Sequence, residues 1–128
     1  MKKTLTLVAV VVLLVVLSTV LLAACISSDP AKAEANYKDK GYSAFLVTSE
    51  VSLAVAEGLL PVKIEGDLTA SLTVSNKSYA GEILYFEKSS DAKKYADYMK
   101  ENTDSYVNKD GKAVFVGNKE AYQMKKAD

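Results

Sequence analysis

Leu68-Thr69-Ala70-Ser71-Leu72-Thr73-Val74-Ser75 alternates apolar and polar side chains without a break. A period of two puts Leu68, Ala70, Leu72 and Val74 on one side of an extended chain and the hydroxyls on the other. This predicts a strand with one buried and one wet face. Asn76-Lys77-Ser78 turns the chain back into Gly81 to Lys88, where Ile83-Leu84-Tyr85-Phe86 predicts a central strand. Upstream, Tyr42 to Thr48 is β-branched and aromatic enough for another strand. Ser49 to Leu60 carries two patterns: Val51, Ala54, Val55 and Leu59 fit a helical face, whereas Val51, Leu53 and Val55 alternate as a strand would. We read it as a helix, because a long strand there would leave the topology without a crossover.

After the central strand, Ser89 or Ser90 is placed to cap a helix running to about Asn102, with Ala92, Tyr95, Ala96 and Met99 on one face. Tyr106-Val107 and Ala113 to Val116 flank Asn108-Lys109-Asp110-Gly111, whose Asp-Gly step signals a hairpin. Asn118 can cap a last short helix carrying Ala121 and Tyr122. At the other end, Asp29 as N-cap, Pro30 at the first helical position and Gly41 past the end predict a first helix. Its apolar stripe is thin, Ala33 and Tyr37, and Glu34 and Lys38 form an i,i+4 pair. Without the two terminal helices, the order is strand, helix, strand, strand, helix, strand. That predicts an α+β fold of ferredoxin-like βαββαβ type: a four-stranded antiparallel sheet with two helices on one face, plus extra N- and C-terminal helices.

The N-terminus has a different character. Met1-Lys2-Lys3 is a short positive segment, and Leu5 to Ala24 is apolar apart from Thr6, Ser18 and Thr19. This is the profile of a secretory signal peptide, although about 20 apolar residues could also span a bilayer. The run ends in Leu22-Ala23-Ala24-Cys25, which resembles the lipobox of bacterial lipoprotein signal peptides at all four positions. The resemblance implies cleavage between Ala24 and Cys25, diacylglycerol on the Cys25 thiol, and a protein lipid-anchored to the cell membrane on its extracytoplasmic face. Two acyl chains of palmitate length bury enough methylenes, at about 0.8 kcal/mol each, to hold essentially irreversibly. The resulting organisation is residues 1–24 as a cleaved lipoprotein signal peptide, 25–29 as the lipidated cysteine and a short tether, and 30–128 as an exported α+β domain. The stretches from Phe86 to Tyr95 and from Lys109 to Gly117 resemble small lipoproteins of unknown function from Gram-positive bacteria, and that likeness implies no activity.

Composition removes whole classes of function. The chain of 128 residues has 16 Lys, no Arg, no His, no Trp and one Cys. That leaves no Ser-His-Asp triad, no Cys-His zinc site, no arginine finger and no internal disulfide. Beyond residue 24 the 14 Lys stand against 16 acids without clustering, so nucleic acid has no electrostatic footprint. Lysine as the only cation also hints at an AT-rich genome. No metal or cofactor is implied.

Candidate catalytic motifs have plainer readings. Ser90-Asp91-Ala92-Lys93 has the Ser-x-x-Lys spacing of penicillin-binding enzymes, but their Ser-Asp-Asn and Lys-Thr-Gly partners are absent. We read a helix cap followed by surface charges. Gly41-Tyr42-Ser43-Ala44-Phe45 is half a nucleophile elbow with no base to serve it. Placing Gly111 at the sixth position of a calcium loop puts Tyr106 and Gly117 where carboxylates are required. Glu65 and Asp67 could pair only if burial raised one of their pKa values. Eight of the eleven aromatic residues are tyrosines. Tyr98 and Tyr122 lie off the main apolar faces and Tyr79 sits at a turn, so these three form the expected binding surface. The expected function is a non-enzymatic binding or adaptor module at the cell envelope, recognising a protein, peptide or wall component. A small-ligand carrier for a transporter and a wall-acting hydrolase are the alternatives.

Overall fold

Ile83-Leu84-Tyr85-Phe86 has no polar residue, and both sides of it are buried. In the computed structural model, which describes residues 25–128, Ile83 and Tyr85 join one core while Leu84 and Phe86 join a second. The elements in order are α1 (Pro30–Asp39), β1 (Ser43–Val47), α2 (Glu50–Gly58), β2 (Leu68–Ser75), β3 (Ala80–Phe86), α3 (Ser89–Asn102), β4 (Tyr106–Asp110), β5 (Ala113–Gly117) and α4 (Lys119–Tyr122). The five strands form one open sheet in the order β1-β2-β3-β5-β4, antiparallel at every step. The signal-peptide reading, with Leu22, Ala23 and Ala24, lies outside the described residues.

The α+β class and the antiparallel sheet agree with the sequence pattern, but the strand order differs from the four-stranded ferredoxin-like one. Only β3, α3 and β4 make a split βαβ unit, with β5 inserted between the two strands. By contrast, β1 and β2 are immediate antiparallel neighbours, Leu46 opposite Leu72. Ser49 to Leu60 is helical as read, yet α2 is no crossover: it leaves and re-enters the sheet at one end. Tyr106–Asp110 and Ala113–Gly117 each pair as full strands, which gives the sheet its fifth member.

The helices also cover both faces of the sheet. On the first face Ala70, Leu72 and Val74 of β2 pack with Ile83, Tyr85, Ala113 and Phe115 under α1 and α4, where Ala33, Tyr37, Ala121 and Tyr122 are buried. On the second, Leu84, Phe86 and Val114 pack against Leu53 of α2 and Ala92, Tyr95 and Ala96 of α3. A register shift between Leu68 and Ala70 turns Leu68 out of the alternation and into this second core. Phe115 lies so close to β3 that a Cβ at Gly81 would come within 2.3 Å of its ring. Only glycine leaves that space.

Side-chain caps are fewer than the sequence suggests. Asp29 Oδ1 accepts from the Ala31 N–H at 3.0 Å and starts α1. Neither Ser89 nor Ser90 caps α3, whose cap position is Lys88. Asn118 Oδ1 accepts from the Ala80 N–H at 2.7 Å, tying α4 to β3 instead of capping its own helix.

Among the described residues, the buried Tyr37 hydroxyl has no hydrogen-bond partner. Burial, with Tyr42 and Tyr85 nearby, pushes it well above the ordinary tyrosine value. Tyr37→Phe removes a desolvated group while keeping the ring, which packs edge-on to Tyr42 at 5.3 Å. We expect a gain of about 1 kcal/mol, read as a rise in Tm of roughly 5 °C. Alkaline unfolding should also move up in pH. A raised tyrosine contributes stability present below about pH 10 and lost as pH rises through its folded value. An unchanged or lowered Tm would show that the hydroxyl is satisfied in solution.

Candidate functional site

The chain enters the body of the protein directly after Cys25. Cys25 is exposed, but Ile26, the next residue, is 8 % exposed and packs into the first core. Its backbone N–H donates to Asp110 Oδ2 at 3.0 Å. The Ser27 carbonyl accepts from the Tyr85 hydroxyl at 2.9 Å. The Asp29 N–H donates to Ser27 Oγ at 3.2 Å, and Asp29 then caps α1. Residues 25–29, expected to be a tether, are therefore a strap bonded to β3 and β4.

Asp110 is the centre of this arrangement. Besides Ile26, its Oδ2 accepts from the Tyr122 hydroxyl at 2.8 Å, and its Oδ1 accepts from Asn108 Nδ2 at 3.0 Å. Asn108 Nδ2 also reaches the Tyr122 oxygen at 2.9 Å. Burial first, and then the hydrogen bond to Asp110, push the Tyr122 hydroxyl well above its ordinary value. The hairpin brings this about. Asp110 pairs with Ala113, so the loop is Gly111-Lys112, and Gly111 takes φ +63° at no steric cost. The Asp-Gly step marks the hairpin as read. Its aspartate does a second job that nothing local announces, since its partner Ile26 lies 84 positions away.

Beside the strap lies an open cleft of about 510 Å³, lined by Ser28, Pro30, Tyr85, Phe86, Asp110 and Lys112 among others. Burial raises the Tyr85 hydroxyl well above its usual value.

The other candidates fall apart in space. Tyr122 is buried against Tyr106 and Phe115, with ring centroids 5.3 and 5.4 Å away, and offers nothing to a partner. Tyr79 is half-buried on the first core, its hydroxyl donating to Asp128 Oδ2 at 3.2 Å. Tyr98 belongs to α3 on the opposite face. The three tyrosines thus form no common surface, because Tyr79 and Tyr122 are used to pack the C-terminal segment while Tyr98 lies across the sheet. Ser90 and Lys93 are exposed, and Lys93 Nζ is held by Asp97 Oδ2 at 2.7 Å. Glu65 faces Lys88 at 3.8 Å on the surface, and Asp67 is exposed. Among the described residues no group of His, Cys, Asp and Glu could hold a metal ion, and no helix is long and apolar enough to cross a membrane.

Known protein families, curated proteins and solved structures contain no match to this chain.

Proposed function

We propose that the chain is a bacterial lipoprotein, anchored through Cys25 to the cell membrane on its extracytoplasmic face, whose α+β domain is a non-enzymatic binding or adaptor module. The observation that carries this reading is Leu22-Ala23-Ala24-Cys25 at the end of an apolar run preceded by Met1-Lys2-Lys3. Support comes from the exposure of Cys25 at the point where the strap leaves the domain. Ser90, Lys93, Glu65 and Asp67 are all exposed, with Lys93 paired to Asp97 and Glu65 to Lys88, which gives no support to a hydrolase. The partner would be an envelope protein, peptide or wall component. The cleft beside Ser28 and Tyr85 favours one other reading, a carrier that hands a small ligand to a transporter.

Cys25→Ala is the test. In cells fed an alkyne fatty acid, the variant should take up no label, accumulate as unprocessed precursor and lose any cross-linked partner that the wild type captures in native membranes. Undiminished labelling of the variant would overturn the anchor. A wild type that is labelled but captures no reproducible protein, and instead retains a metabolite in a binding screen, would replace the adaptor with the carrier.

A further inference from the structure

Helix α2 turns its most apolar face to solvent. Leu53 points into the second core, while Val51, Val55 and Leu59, spaced four apart, are 76, 62 and 80 % exposed. A helix that buries one leucine and exposes two valines, continued by Leu59 at its C-cap, has two apolar faces, and the outer one lacks a partner among the described residues. Contiguous exposed apolar surface of this kind marks a contact site.

Its position indicates the contact. Because β1 and β2 are antiparallel neighbours, α2 starts and ends at the end of the sheet where β1 stops and β2 begins. Glu57 Oε1, near its C-terminus, accepts from the Leu68 N–H at 2.7 Å, the first residue of β2. That same end carries Phe86, paired with Leu68, and the Gly111-Lys112 turn, where the Lys112 carbonyl accepts from the Phe86 N–H at 2.8 Å. Asp110 holds the strap there, so Cys25 leaves the domain at the end of the sheet that α2 occupies. The chain between the acylated residue and the first buried side chain has no length, since they are adjacent. An anchor without slack presses this end of the sheet against the lipid.

We propose that Val51, Val55 and Leu59 form a second membrane contact, seated in the headgroup and acyl boundary of the bilayer that holds Cys25. This rests on the lipoprotein reading above. The anchor is at the β4 and β5 side, beside the first core, and α2 at the β1 and β2 side, over the second, so the two sit at opposite corners of this end, up to four strand spacings or about 19 Å apart along the sheet. Two contacts so separated set the tilt of the domain, which a single anchored point leaves open. With Glu50 and Glu57 and no cation on this helix, the contact draws nothing from polybasic attraction, so added salt should not weaken it.

The full-length lipidated protein tests this, with Val55→Cys or Leu59→Cys carrying a bimane label and Lys77→Cys, in the exposed turn at the other end of the sheet, as control. All three positions lie on the surface, so folding is preserved. On vesicles of phosphatidylcholine and phosphatidylglycerol with brominated acyl chains, labels at 55 and 59 should lose most of their fluorescence and the label at 77 should keep it, in low and high salt alike. Unquenched labels at 55 and 59 on protein that co-sediments with the vesicles overturn the second contact and leave the anchor standing. Labels shielded only as protein concentration rises, with cross-links between copies, overturn it in favour of self-association. Failure to co-sediment at all removes the anchor, and the second contact with it.

Discussion

Asp110→Ala should lower stability by about 3 kcal/mol and free the first residues of the domain. The wild-type carboxylate satisfies the Ile26 N–H, the Tyr122 hydroxyl and the Asn108 amide. Alanine supplies no acceptor, and polar groups left without partners away from water cost roughly 1–3 kcal/mol each. Asn108 and Tyr122 still have one another, which keeps the total below a simple sum. In a domain of this size, whose whole stability is roughly 5–15 kcal/mol, such a loss is large. Urea unfolding measures it, and limited proteolysis localises it: cleavage within residues 26–29 should become fast in native buffer. Asp110→Asn keeps the shape with one acceptor oxygen and should fall between. Equal stability of Asp110→Ala and the wild type would mean that the strap is not held in solution. On a membrane, the loosened strap would act as the flexible tether that the sequence suggested.

The second large effect is expected at Asp91. Its buried carboxylate accepts from the Glu65 N–H at 3.0 Å and from the Gly66 N–H at 2.8 Å, fastening the segment after α2 to the start of α3. Burial disfavours the charge, but the two backbone donors, helped by Lys88 and Lys94, outweigh it and hold the carboxyl below its ordinary value. Asp91→Ala should cost about 3 kcal/mol, since two backbone donors lose a charged acceptor. The pH dependence follows from the sign of the shift. A depressed carboxylate contributes stability that is fully present above its unfolded value near 3.9 and is lost as pH falls through its lower folded value. Acid unfolding of the wild type should therefore show a component below about pH 4 that the variant lacks. Superimposable acid transitions for the two would remove Asp91 from the account.

Much of this was legible locally. Pro30 after Asp29, the alternation from Ala70 to Val74 and the Asp-Gly step each act within a few residues, and each sits where the sequence placed it. Ala33 and Tyr37, the thin stripe of the first helix, are the residues α1 buries. The covering of both faces was also written in Ile83-Leu84-Tyr85-Phe86, because a strand apolar on successive residues needs a core on each side. The tyrosines misled for a related reason. A tyrosine off a helix's main stripe can still be buried when its helix lies against the sheet, as Tyr122 does on Tyr106 and Phe115.

The α+β class and nearly all the elements could be read from the chain alone, since they depend on side chains within one turn or one strand. The order β1-β2-β3-β5-β4, the bonding of Ile26 to Asp110 and the placing of Cys25 and α2 at one end of the sheet were set by the folded whole. Those features depend on which strand edges meet across long stretches of chain. Many orders satisfy the same hydrophobic pattern, and the choice among them is made by the packing of two whole cores at once.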